Sequence, residues 1–149
     1  MTTPAPVLGS GSLVYQVARD LATALDRQLA PFGVTAQQAA LLLHASRGQA
    51  SPRQLSRALG TDTAGMTKLT DRLEAKDLIE RHRNPEDRRS VLIALTERGQ
   101  ALVPQLRPVF GRVTGQLFSG FSAEEIGALT AMLERIRGNL SSFLTQRPA

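Results

Sequence analysis

The chain has no cysteine and no tryptophan, one tyrosine and two histidines. Without cysteine there is no disulfide frame and no thiol switch. His44 and His82 alone fall short of the four Cys or His ligands that structural zinc normally takes, so no metal site is expected. No apolar run approaches the ~20 residues that span a bilayer, and the N-terminus lacks a charged-then-apolar secretory pattern. No membrane partner is expected, and the cytoplasm is the expected compartment. No Gly-rich phosphate loop, nucleophile elbow or metalloprotease helix occurs. The neighbouring acids Glu86–Asp87 and Glu124–Glu125 fit turns and caps, so nothing here points to an enzyme or a cofactor. What is present is a surplus of cations, 18 Lys and Arg against 13 Asp and Glu for a net charge of +5, which suits a polyanionic partner.

The most informative stretch runs from Ser51 to Leu95. Ser51-Pro52-Arg53-Gln54 is a helix start: Ser caps, Pro suits the first helical position, and Gln54 completes a capping box. Leu55, Ala58 and Leu59 give an apolar stripe, and Gly60 ends the helix in a left-handed turn. Thr61 or Asp62 can cap the next helix, which runs from Asp62 to Lys76 with Met66, Leu69 and Leu73 facing inward. Two helices joined by so short a Gly turn make a helix-turn-helix. The outer face of the second helix carries Thr63, Ala64, Thr67, Lys68, Asp71 and Arg72. Small and polar residues followed by cations fit entry into a major groove, the first reading base edges and the later ones holding phosphates. Taken alone, the same face also fits a solvated surface helix.

Leu78–Arg83 and Ser90–Leu95 read as two strands, joined by the turn Asn84-Pro85-Glu86-Asp87. The tip carries Arg88 and Arg89. Adjacent arginines on a hairpin can enter a narrow minor groove, and Asp87 is placed to orient the Arg89 guanidinium as a bidentate pair. The competing reading is an ordinary charged hairpin.

The flanks are helical. Residues 1–12 are expected to be a flexible tail. Residues 13–33 form a helix with Leu13, Val17, Leu21, Leu25 and Leu29 stepping by four, and a capping box at Thr35–Gln38 opens a buried helix through Ala45. Thr96 caps a long helix that contains Pro104 and Pro108 and should bend there. Ser122 to Glu125 is a capping box, with Phe121 positioned to staple onto Ile126. Ile126, Leu129, Leu133, Ile136, Leu140 and Phe143 form a heptad seam. Core packing within one chain accounts for such a seam as well, but a dimer interface built from both chain ends is the preferred reading. The expected architecture is mainly α with a small β-hairpin wing. Residues 34–95 form the winged helix-turn-helix, and 13–33 with 96–145 form a helical dimerisation region, the whole being one compact unit of 149 residues.

From Leu73 to Gly99 the run LxxxxLIERxxNPEDRRSVLIALTERG resembles the MarR family of winged helix-turn-helix transcription regulators. NPEDRRS resembles the family's wing signature and ALTERG its junction into the long fifth helix. Asp77 stands where the family often has Gly, and Ala64-Gly65 where many members have Ser and Thr. The resemblance implies a homodimer that binds a short palindromic double-stranded DNA operator, usually as a repressor released by a small ligand or by thiol oxidation, the second of which the absence of cysteine excludes here. It puts Thr63, Thr67, Lys68 and Arg72 on the recognition helix and Arg89 in the minor groove with Asp87 as its partner; with Ser51, Arg53, Arg83 and Arg88 these are the candidate DNA-binding residues. The family's small anionic or aromatic ligands point to Tyr15 and Arg19, four apart on the first helix, together with His44. The plainer role for His44 is that of a core-edge histidine at a helix C-terminus. The alternative function is a winged-helix protein-interaction or non-specific architectural DNA-binding module.

Overall fold

The computed structural model describes the backbone of Ala5–Gln146 and the side chains from Leu8 onward. The chain runs α1 (Ala5–Leu29), a 3-10 turn (Ala30–Phe32), α2 (Ala36–Ala45), α3 (Pro52–Leu59), α4 (Thr63–Ala75), β1 (Ile79–Arg83), β2 (Val91–Leu95), α5 (Glu97–Leu117) and α6 (Ala123–Thr145). Its contacts group it into two compact units, Met1–Val113 and Thr114–Ala149, where one had been expected. The break falls inside α5, and α6 buries no residue within the chain.

Helix α1 begins at Ala5, so residues 5–12 are helical rather than a tail, and the expected tail residues 1–4 lie outside the described residues. Gly9 and Gly11 each cost about 1 kcal/mol relative to Ala, yet Leu8 and Leu13 extend the same amphipathic helix. α2 opens on the expected capping box, with Thr35 accepting from the Gln38 backbone and Gln38 reaching back to Thr35. Such a cap is worth about 1 kcal/mol. α2 buries Leu41 and Leu42 completely, and these pack in one core with Leu29, Leu55, Met66, Leu73, Ile93 and Leu106.

The two strands are antiparallel, with Ile79 opposite Leu95 and Arg83 opposite Val91. The loop residue Ala50 adds a bridge on the other side of β2: its N–H and C=O exchange hydrogen bonds with Ile93 at 3.1 and 2.8 Å. This pins the entry to α3 against the wing. α5 runs unbroken through Pro104 and Pro108. Both prolines lie on its exposed side, where the carbonyls they leave unpaired can reach water. In the second unit Ser122 caps α6 by accepting from the Glu125 backbone at 3.1 Å. The Phe121 ring meets Phe118 edge-on at 6.4 Å. Among the described residues no helix is long and apolar enough to cross a membrane.

Candidate nucleic-acid interface

Three elements of the first unit converge on one surface. α3 starts on the Ser51–Gln54 capping box and ends at Gly60, whose φ of 66° is the left-handed turn expected there. Asp62, not Thr61, then caps α4, accepting from the Gly65 N–H at 2.7 Å. A Cβ on residue 65 would lie 2.9 Å from that same carboxylate oxygen. Gly65 thus gives room to the cap as well as costing helix propensity.

α4 buries Met66, Leu69, Thr70 and Leu73 and exposes Thr63, Ala64, Thr67, Lys68, Asp71 and Arg72. At 100° per residue, Ala64, Lys68 and Asp71 point directly away from the buried stripe, with Thr63 and Thr67 to one side. The Thr67 hydroxyl donates to the Thr63 carbonyl at 3.0 Å, so its free lone pair and methyl are what it offers outward. Thr63 and Thr67 join Pro52, Arg53, Ser56, Met66, Thr70, Arg81 and Val91 around a groove of about 480 Å³ between α3, α4 and the wing. Ser51 spends its acceptor on the Gln54 backbone and keeps its hydroxyl proton free.

The end of α4 is a Schellman motif: Asp77 N–H donates to the Glu74 carbonyl and Leu78 N–H to the Leu73 carbonyl, at 2.9 and 3.0 Å. Asp77 has φ of 57°. The family's frequent Gly at this position is thereby explained, since only Gly enters that region without steric cost. Lys76 ties the same end of α4 to the α1–α2 turn, donating to the Gly33 carbonyl at 2.6 Å and the Gln38 side chain at 2.8 Å.

In the wing, Asn84 accepts from the Glu86 N–H and Asp87 from the Arg89 N–H, both at 3.0 Å. The expected Asp87–Arg89 side-chain pair is replaced here by an Asx turn, because a carboxylate two residues upstream lies over the backbone N–H. Asp87 fixes the tip's backbone, and the Arg88 and Arg89 side chains project into solvent, as does Arg83. Sequence reasoning missed Arg81. From β1 it donates to the Thr70 hydroxyl at 3.0 Å and to the Asp71 carboxylate, and its Nε lies 3.6 Å from Glu74.

The expected ligand residues are not brought together within the chain. Tyr15 is 70% exposed and Arg19 faces Asp20 at 3.7 Å. His44 instead lines a cavity of about 440 Å³ with Ala40, Leu43, Arg47, Arg107 and Phe110.

A family model described as MarR family matches residues 32–90, from the turn before α2 to the end of the wing tip. The multiple antibiotic resistance protein MarR of Salmonella typhimurium is 33% identical over 132 residues, which cover 87% of this chain and 92% of that protein. The chain belongs to the MarR family. Among the solved structures similar to this chain are two that contain DNA. One is an E. coli MarR variant complexed with operator DNA, similar at a TM-score of 0.79 and 28% identity over 88% of this chain and 95% of that one. The other is the S. aureus MepR–DNA complex, at 0.80 and 25% over 87% and 96%. The MarR family match takes in α3, α4, β1 and the wing tip, the elements that carry every candidate DNA-binding residue.

Proposed function

We propose that this MarR-family chain is a transcription regulator that binds a palindromic double-stranded DNA operator as a homodimer and acts as a ligand-responsive repressor in the cytoplasm. The observation that carries the reading is the groove between α3, α4 and the wing. A capped helix presents Thr63, Thr67 and Lys68 outward beside Arg53, and the hairpin tip presents Arg88 and Arg89. Two such helices, about 34 Å apart across a two-fold axis, enter successive major grooves while the wings reach the flanking minor grooves. Arg53, Arg72, Arg83 and Ser51 hold phosphates, which position the protein without reading sequence.

The homodimer is supported by uncovered apolar faces at both chain ends. Leu8, Leu13, Val14 and Val17 are exposed on α1, and Met132, Leu133, Ile136, Leu140 and Phe143 on α6. Contiguous apolar surface of this kind marks a protein interface, and a second copy of the chain is the occupant that makes a palindrome readable. For the small anionic or aromatic ligand, we place His44 with Arg47 and Arg107 in one cavity. Tyr15 and Arg19 do not line that cavity, and we assign them to the same ligand from the neighbouring copy of the dimer. A ligand shifts DNA affinity only by its differential affinity for the two dimer shapes.

The test is selection of binding sites from randomised duplex DNA, followed by salt titration on the enriched and on a scrambled duplex. A palindrome bound roughly a thousandfold more tightly than the scrambled duplex, with a steep salt slope on both, is the expected result. Equal affinity for both duplexes would overturn operator reading and favour a protein-directed or architectural winged helix.

A further inference from the structure

The exposed face of α4 contains a contradiction. Lys68 and Arg72 suit a polyanion, but Asp71 and Glu74 lie on the same helix, and Asp71 points straight outward. Their carboxylates offset the two cations and repel phosphate. The contacts of Arg81 resolve this. Its Nη2 donates to the Asp71 carboxylate and to the Thr70 hydroxyl, and its Nε approaches Glu74, so one guanidinium spans a turn of α4. Thr70 is 3% exposed, and its hydroxyl donates in turn to the Met66 and Thr67 carbonyls at 2.9 and 3.0 Å. The guanidinium is thereby keyed to the helix backbone as well as to the acids. Arg81 itself sits on β1 opposite Ile93, in the strand that leads to the wing tip.

We propose that Arg81 is a positioning residue for DNA binding: it sets the angle between the recognition helix and the wing, and it neutralises Asp71 and Glu74 so that phosphate can approach α4. The proposal rests on the operator reading above. Arginine is needed rather than lysine, because a planar fork reaches two acceptors and an adjacent hydroxyl at once and a point charge does not. All three charged side chains are partly exposed, Arg81 at 36%, Asp71 at 58% and Glu74 at 47%. Exposed pairs of this kind add little to folding stability, so the consequence falls on binding and the variants remain folded.

Two measurements on the full chain test this. The first is operator affinity against salt for wild type, Arg81→Met, Arg81→Lys, Asp71→Asn with Glu74→Gln, and the triple variant. Arg81→Met should weaken binding roughly tenfold, the scale of coupling between groups in one network. In the background lacking both acids the same change should cost much less. Arg81→Lys should recover part of the loss at low salt. An equal loss in both backgrounds, or none in either, overturns charge neutralisation. The second needs no DNA: Arg81→Met should speed amide exchange in Ile79–Arg83 and Val91–Leu95 while leaving α2 unchanged, and unchanged hairpin exchange overturns the positioning role. If wild type selects no operator, the function reading fails, and the exchange result still decides whether Arg81 joins wing to helix.

Discussion

Replacing Gly99 with alanine should destabilise the protein by about 3 kcal/mol, although Gly to Ala inside a helix ordinarily stabilises by roughly 1 kcal/mol. Gly99 lies in the first turn of α5, where the helix leaves the wing. A Cβ there would overlap the Leu78 backbone oxygen and lie 3.4 Å from the Leu95 Cβ. That oxygen already accepts from the Thr96 N–H at 3.2 Å. The Thr96 hydroxyl in turn donates to the Asp77 carbonyl at 2.7 Å and accepts from the Gly99 N–H at 3.1 Å. The obstacle is backbone, so the helix must move, and the hydrogen bonds at this corner lengthen with it. Overpacking costs about 2 kcal/mol and two lost hydrogen bonds about 1 kcal/mol each, while helix propensity returns about 1. Urea unfolding at one fixed protein concentration measures the difference, since a dimer's stability depends on concentration. At a slope of ~2 kcal/mol per M the midpoint should fall by ~1.5 M without a change in slope. Gly111→Ala is the control: it changes a glycine of the same helix with nothing within 4 Å of the new Cβ, and it should stabilise by about 0.5–1 kcal/mol. A Gly99→Ala protein as stable as wild type would refute the close approach.

Asp77→Gly should raise the melting temperature by ~2–4 °C, because it relieves about 1 kcal/mol of left-handed strain at φ 57°; a lower melting temperature would count against the strain. Arg89→Ala should weaken operator binding by about 1–3 kcal/mol in a binding titration without reducing dimer formation, and intact affinity would remove Arg89 from the minor groove. Leu133→Asp with Leu140→Asp should yield monomers in sedimentation and abolish operator binding; a persisting dimer would exclude the α6 seam as the interface.

Local chemistry was legible in the sequence. The Thr35 and Ser51 boxes and the Thr96 cap came out where spacing put them, because each depends on a side chain reaching backbone three residues away, and the Gly60 turn and the hairpin came out within a residue because a left-handed glycine and a Pro-containing turn mark them. What escaped was contact between distant residues. Arg81 meets Asp71 and Glu74, and Lys76 meets Gly33 and Gln38 across 43 and 38 positions. In a sequence these look like ordinary charges on a wet face. Ala50 pairing with Ile93 is of the same kind, since nothing in a Gly-Gln-Ala loop announces a bridge. The start of α1 was misplaced because Gly9 and Gly11 were read as loop composition, whereas the apolar stripe continued through them.

These unforeseen contacts converge on one place. The C-terminal half of α4 is held from three directions: by Lys76 to the α1–α2 turn, by Arg81 to the wing, and by the Asp77–Leu78 carbonyls to Thr96 at the start of α5. Among the described residues its first turn has no such side-chain clamp beyond the Asp62 cap, and it carries the bare Ala64-Gly65 pair. Under the operator reading proposed above, this helix is tied down where it meets the rest of the protein and unencumbered at the turn assigned to bases. With no hydroxyl at 64 or 65, the operator reading proposed above leaves base-edge hydrogen bonding in that turn to Thr63, with Thr67 and Lys68 one turn on. The Ala64 methyl is left for apolar contact with a thymine methyl.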